Sequence, residues 1–290
     1  MTAMEQVQVL LDELLQAARN GTIVPVRLPG QIEAIQEQLV KAKDERKADE
    51  NKPTVDADTF LKEQAYFIGH AIHELRTPMT SIRGYADMLN NAAMGPLNDM
   101  QKQFVDTVRT NSRRMESLLT DVSDMNKLRA GTMRTNEKMD MFKNIAMMVE
   151  KQTQPLAEQL NRKLVFDIPQ GLPILNTDGE LLAKAITKLV ENALRYQQEE
   201  NGEVTVHASS EGNQLTVKVE DNGIGMTPEE LEQLGTIYFR SDDEFVRSYK
   251  GSGLGIPVAY GFIRLLNGTI NVQSEKGKGT TFTITLTGMT

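Results

Sequence analysis

Apolar or small residues return at Leu61, Ala65, Ile68, Ile72, Leu75, Met79, Ile82, Ala86 and Leu89. The steps alternate four and three, the period of one stripe along an α-helix packed against other helices. A strand cannot use this pattern, because its side chains repeat every second residue. One long helix over residues 58–90 is therefore expected. A second seam follows at Val105, Val108, Ser112, Met115, Leu119 and Val122. Between the two, residues 91–98 hold Gly95-Pro96 and read as a hairpin loop. One helical hairpin buries little by itself. Two hairpins in a four-helix bundle bury both seams, so a homodimer is expected.

Before this hairpin, residues 4–20 carry helical spacing at Val7, Leu10, Leu11, Leu14, Leu15 and Ala18, and Asn20-Gly21 ends it. An apolar connector at residues 23–30 leads to a second helical pattern from about Gln31, with Ile32, Ile35 and Leu39 inward. Residues 41–51 are nearly all charged or small and read as a solvated helix end or linker, and Pro53 breaks the pattern. Asp56 or Asp58 can cap the long helix. Gly131 ends the hairpin, and the period then changes. Strand alternation runs through Leu164–Phe166, Val204/Val206/Ala208, Leu215/Val217/Val219, Ile270/Val272 and Phe282/Ile284/Leu286. Helical segments are expected at residues 179–197 and 254–266, and hairpin turns at residues 211–213 and 276–279. The expected fold is an α helical-hairpin dimerisation domain followed by an α/β two-layer sandwich, with one mixed sheet and helices on one face. The boundaries fall at 1–55, 56–130 and 131–290.

His73 follows the seam residue Ile72, which turns it about 100° from the buried stripe and toward solvent. His70 and Thr77, three residues before and four after, share its face. Pro78 has no N–H for the Glu74 carbonyl and its ring clashes there, so a kink beside the histidine is expected. A solvated surface histidine is the plain reading; its neighbours argue for more.

The second half contains neither a P-loop nor a dinucleotide fingerprint. It carries three other pieces in order: Glu191-Asn192-Ala193-Leu194-Arg195-Tyr196 on a helix, Asp221-Asn222-Gly223-Ile224-Gly225 at a strand end, and Gly251-Ser252-Gly253-Leu254-Gly255 opening a helix. A partly buried Asp221 can accept from the exocyclic amine of adenine, with Gly223 and Gly225 letting backbone approach the base. Asn192 offers a neutral oxygen to a hard cation such as Mg²⁺, Arg195 can meet phosphate oxygens, and the third cluster presents N–H groups at a helix N-terminus. Singly, each has a bland reading: a turn, a satisfied helix residue, a flexible loop.

Taken together the pieces carry a resemblance. His73-Glu74-Leu75-Arg76-Thr77-Pro78 resembles the phosphoacceptor box of bacterial sensor histidine kinases. The second half, over about residues 139–286, resembles the ATP-binding domain shared by histidine kinases, type II topoisomerase ATPases, MutL-type mismatch-repair proteins and a chaperone ATPase family. Ile237-Tyr238-Phe239-Arg240 looks like the kinase-type box beside the ATP lid. The resemblance implies a homodimeric kinase that phosphorylates His73 from ATP with Mg²⁺, then passes the phosphoryl group to an aspartate in the receiver domain of a response regulator. It implies Glu74 as general base and Thr77 as the residue that orients water for dephosphorylating the regulator. Nucleotide contacts are implied at Asn192, Arg195, Tyr196, Asp221, Gly223, Gly225, Lys250, Gly251, Gly253, Leu254 and Gly255, with Asn192 on the metal, Thr280 supporting Asp221, and residues 242–250 as a charged, mobile lid. The first segment resembles a HAMP signal relay, with a plain helical dimerisation segment as the other reading. Two positions depart from the pattern. Lys188 stands where the family often has Asn, and either meets phosphate or faces water; Ile72 stands where Ser is common. His207 reads as structural.

Two rivals remain: an ATPase clamp, and a signalling scaffold with a degenerate nucleotide domain. The clamp relatives carry a catalytic Glu at the position of Lys188 and lack the His73 box. Composition closes other routes. The chain of 290 residues has 40 acidic and 32 basic residues, and no basic block stands out, so nucleic-acid binding is not expected. It has no cysteine and three histidines, which leaves little for a metal cluster. No apolar run nears the ~20 residues of a membrane span and no signal peptide is evident, so a cytoplasmic protein, or the cytoplasmic portion of a longer receptor, is expected.

Overall fold

A computed structural model describes residues 3–20, 33–35, 57–91, 95–197 and 202–289. The chain forms two compact units, Met1–Ala130 and Gly131–Thr290.

The helical unit contains α1 (Ala3–Arg19), α2 (Ala57–Leu89) and α3 (Asp99–Arg129). Helix α2 starts at Ala57, so Asp58 lies in its first turn, while Asp56 lies outside the described residues. It stays helical through Pro78. In the turn after the proline, the Thr80 hydroxyl donates to the Arg76 carbonyl (3.0 Å) and the Ser81 hydroxyl to the Thr77 carbonyl (3.3 Å). Such back-bonding goes with helix bending. Helix α3 starts at a capping box: Asn98 accepts from the Gln101 N–H, and the Gln101 side chain accepts from the Asn98 N–H. Gly131 follows the α3 C-cap at φ +63°, the left-handed stop that glycine adopts freely. Antiparallel register is set by Arg83–Glu116 (2.5 Å), Arg109–Asp87 (2.7 Å) and the Asn126 amide donating to the Ala65 carbonyl (2.7 Å).

The seam near His73 is buried from within the chain. Val7, Leu11 and Leu14 of α1, together with Ile35, share one core with Ala71, Ile72, Leu75, Met79 and Leu119. The sequence pattern had reserved this stripe for a second copy. Further along the hairpin, Leu89 and Val108, also on the expected seams, are exposed, as are Tyr85, Met88, Met100 and Phe104. Ile32, Leu39, the 23–30 connector and residues 41–51 lie outside the described residues.

The α/β unit has a five-stranded sheet in the order β2 (Lys163–Asp167), β4 (Glu203–Glu211), β5 (Gln214–Asp221), β7 (Gly279–Thr287), β6 (Thr269–Glu275). Strands β2 and β4 run parallel and the other pairs antiparallel, so the sheet is mixed. One face buries Val204, Val206, Ala208, Leu215, Val217, Val219, Phe282, Ile284 and Leu286. Against it lie α4 (Phe142–Gln159), α5 (Gly179–Arg195) and α8 (Gly255–Leu265). Five elements add to the sequence expectation. Helix α4 buries Phe142, Ile145, Ala146, Val149, Thr153 and Ala157, but it holds Pro155 and lacks a side-chain cap, the two marks a helix search leans on. Strands β1 (Lys138–Met141) and β3 (Ile174–Thr177) form a separate two-stranded sheet, each too short to show a period. Short helices α6 (Pro228–Gln233) and α7 (Glu244–Ser248) lie between β5 and α8.

Candidate active site

On the helical unit, Ile72 and Leu75 are buried while His70, His73 and Thr77 are exposed and Glu74 and Pro78 half-buried. The seam thus anchors one side of α2 and leaves the His73 ring on the solvent side.

The second constellation belongs to the α/β unit and forms where β5 ends. Asp221 pairs in register with Thr280 of β7. Its carboxylate accepts from the Gly223 N–H at 2.8 Å and from the Thr280 N–H. Burial pushes the carboxyl up to about 6, outweighing these two donors, which favour the charged form. Thr280 therefore holds Asp221 through its backbone. Its hydroxyl pairs with Ser274 (2.9 Å), which also donates to the Gly279 carbonyl and accepts from the Met226 N–H. Ser274 had no mark in the sequence beyond its place at a strand end.

Backbone crowding explains the glycines. A Cβ on Gly225 (φ +58°) would lie 1.9 Å from the Glu275 carbonyl oxygen, and one on Gly279 (φ +102°) would lie 1.9 Å from that of Asp221. Gly223 abuts the Tyr196 carbonyl, which accepts from the Ile224 N–H at 3.0 Å. The Asp221 loop is therefore fastened to the C-terminal end of α5.

Asp178 caps α5 by accepting from the Leu181 N–H (2.9 Å). From Leu181 to Leu194 everything on α5 is buried except Lys184, Lys188, Glu191 and Asn192. Arg195 pairs with Glu191 at 3.1 Å. The Tyr196 ring meets Tyr249 edge-on, and Tyr249 meets Phe245 in the same way (centroids 6.0 and 5.4 Å).

The expected lid is built around α7. The Arg240 guanidinium donates to the carbonyls of Val246 (2.7 Å) and Tyr249 (2.5 Å). Asp243 caps α7 and pairs with Lys276 at 2.8 Å, which holds its carboxyl below the usual range. Ser241 bonds Glu230, and Arg247 pairs with Asp242. The segment expected to be charged and mobile contains a short helix, and Tyr249 beside it contacts the Tyr196 ring edge-on. Lys250 and Gly251 are exposed at its end, the Gly253 carbonyl accepts from the Tyr238 N–H (3.2 Å), Leu254 is buried, and Gly255 opens α8. His207 pairs with Asp167 at 2.7 Å across β2 and β4, away from these groups in sequence and register.

Residues 63–131 match the His Kinase A (phospho-acceptor) domain, and residues 177–288 match the histidine kinase-, DNA gyrase B-, and HSP90-like ATPase family. The chain belongs to the histidine kinase family. It is 30% identical over 260 residues to the "Non-motile and phage-resistance protein" of Caulobacter vibrioides, covering 88% of this chain and 30% of that protein. Histidine protein kinase DivJ of the same bacterium is 28% identical over 232 residues, covering 80% of this chain and 38% of the kinase. The chain thus spans about a third of the length of these curated relatives. The histidine kinase fold is shared with the solved structure of full-length ShkA in complex with AMPPNP, at TM-score 0.62 and 23% identity, over 77% of this chain and 45% of that one.

Proposed function

We propose that this chain is the catalytic core of a sensor kinase that phosphorylates His73 from ATP and passes the phosphoryl group to a receiver-domain aspartate. What carries the reading is the pairing, in one chain, of an exposed His73 box with a half-exposed Asp221 loop fastened by glycines to the end of α5. In the transfer, a neutral ring nitrogen of His73 forms the new N–P bond as the γ-phosphorus–oxygen bond to ADP breaks. Glu74 takes the proton from the ring and holds the tautomer. The Asp221 carboxylate accepts from the adenine amine, and Arg195 meets phosphate oxygens with Lys250 and the lid. Among the described residues no group of three or more His, Cys, Asp or Glu could cage a metal. That suits Mg²⁺, which is held mostly by nucleotide phosphates and waters with one or two protein oxygens, here Asn192. When bound, Mg²⁺ neutralises phosphate charge. Thr77, on the His73 face, orients water when the regulator is dephosphorylated.

The apolar end of the hairpin, with Tyr85, Met88, Leu89, Met100, Phe104 and Val108 exposed, fits a second copy of the chain. Residues 1–55 are the signal-relay segment, and α1 on the His73 seam gives it a direct mechanical route to the acceptor. Among the described residues no helix is long and apolar enough to cross a membrane, and we place the core in the cytoplasm, where ATP and receiver domains are found. The phosphoacceptor match speaks against a clamp ATPase. Incubation with labelled ATP and Mg²⁺ should leave acid-labile, alkali-stable phosphate on the chain, transferable to a receiver domain. ATP hydrolysis without protein label would instead favour the clamp, and intact folding with neither would favour a scaffold.

A further inference from the structure

Gln197 follows the C-cap of α5 and is 1% exposed. Glutamine is seldom buried so deeply, because its amide must find partners away from water. Here the amide is only half satisfied. Its Nε2 donates to the Glu203 carbonyl at 3.0 Å, while its Oε1 makes no hydrogen bond. The amide lies against Gly202, where a Cβ would stand 1.8 Å from Oε1. An apolar side chain of the same length would fill this place without an orphaned oxygen, so packing alone does not account for the residue. What glutamine adds is the bond to Glu203.

Glu203 opens β4, next to the rung that joins Val204 to Asp221. Asn222 closes the following rung. Its N–H donates to the Glu203 carbonyl at 3.4 Å, and its side chain accepts from the Glu203 N–H at 2.8 Å. Gln197 and Asn222 thus share one carbonyl. The same loop has a second fastening, where the Ile224 N–H donates to the Tyr196 carbonyl. Two consecutive residues at the end of α5 therefore hold the loop on either side of Gly223, whose N–H meets the Asp221 carboxylate. The Arg162 guanidinium donates to the Gln197 carbonyl at 2.7 Å and pins this end of the helix from the residue before β2. Asn192 and Arg195 stand on the same helix end, within about one and a half turns.

We infer that Gln197 is a positioning residue for the base-binding carboxylate: through Glu203 and Asn222 it sets where Asp221 stands relative to the helix that carries Asn192 and Arg195. The inference rests on the reading of Asp221 as the adenine acceptor. Buried against Gly202, Gln197 acts on the nucleotide only through the loop.

The full chain, titrated calorimetrically with ADP, which carries the base but no γ-phosphate to transfer, tests it. Gln197→Met keeps the length and removes the donor; it should weaken ADP about two- to tenfold, the range of a lost neutral hydrogen bond, with the number of sites per chain unchanged. Asn222 is exposed, so Asn222→Ala should fold whatever Gln197→Met does, and it should show a loss of similar size. Because both act through one carbonyl, the double variant should lose less than the product of the two factors. The pH below which wild-type affinity falls, about 6, should move toward about 4 in either variant, because a loosened loop admits water to Asp221 while its charged neighbour Glu220 stays in place. Unchanged ADP affinity in the variants would overturn the inference. So would fewer sites at unchanged affinity, or an unmoved pH step, each of which marks a merely structural role. Undiminished ADP affinity in Asp221→Asn would instead overturn the base-acceptor reading, and this inference with it.

Discussion

Leu182, Ile186, Val206, Val217, Phe262 and Ile284 of the α/β unit are fully shielded from solvent, whereas Tyr85 and Phe104 of the helical unit remain 69% and 62% exposed. The first unit completes its core alone. The second completes only the part covered by α1. The glycines divide the same way. Gly279 and Gly225 sit where a Cβ would overlap backbone carbonyls, while Gly69 and Gly84 of α2 have nothing within 4 Å. A small ligand needs fixed backbone around it, and the α/β unit supplies that through crowding. The helical unit instead holds His73 outward from a regular seam, which is what the proposed acceptor role requires.

The sharpest break of this contrast is at the acceptor. His73→Gln should carry no acid-labile label after incubation with ATP, and His70→Gln should keep it. The reverse pattern would move the acceptor off the Glu-Leu-Arg-Thr-Pro box. Next comes the crowded backbone. Gly279→Ala adds both an overlap and left-handed strain, together costing about 3 kcal/mol or more. Thermal unfolding should fall by roughly 6–12 °C, and an unchanged midpoint would show that the loop relaxes freely.

Asp221 tests whether the enclosed site trades stability for binding. Asp221→Asn should weaken ATP about ten- to a hundredfold. Its raised folded pKa means the folded state holds the proton more tightly than the unfolded chain does. The stability it contributes is present at low pH and is lost as pH rises from about 4 to about 6. At pH 8 the nucleotide-free Asn variant should therefore be more stable, by about 1–3 kcal/mol. ATP affinity of the wild type should drop as pH falls through about 6, because the protonated carboxyl loses its charge; the variant should show no such step. Calorimetry across pH 5–8 checks both. The smallest effect is expected at Gly84→Ala, in open space on α2, which should stabilise the helical unit by about 0.5–1 kcal/mol. A loss there would mean that Gly84 meets a partner.

The long features were legible because they repeat. The 4-3 spacing located α2 to within a residue or two, and the Ile72 seam put His73 outside. Alternation found the five strands of the main sheet. Gly223 and Gly225 stood out because glycine tolerates close approach, and the approach they make is to the Tyr196 and Glu275 carbonyls of the chain itself. What escaped had no period or depended on distant chain. Strands β1 and β3 have four residues each, and α4 carries Pro155 without a cap. The covering of Ile72 and Leu75 by α1 joins segments some sixty residues apart, and nothing in the seam says which apolar partner fills it. Asp242, Asp243, Glu244 and Arg247 mark residues 242–250 as charged in the sequence; the pairing of Asp243 with Lys276, that of Asp242 with Arg247, and the aromatic contact with Tyr196 appear only in three dimensions.

Arg240 has a kinetic consequence. One guanidinium holds the carbonyls of both Val246 and Tyr249, and so spans the end of α7. Removing that side chain in Arg240→Ala would free both carbonyls at once, so the amides of α7 should exchange with solvent deuterium faster than in the wild type.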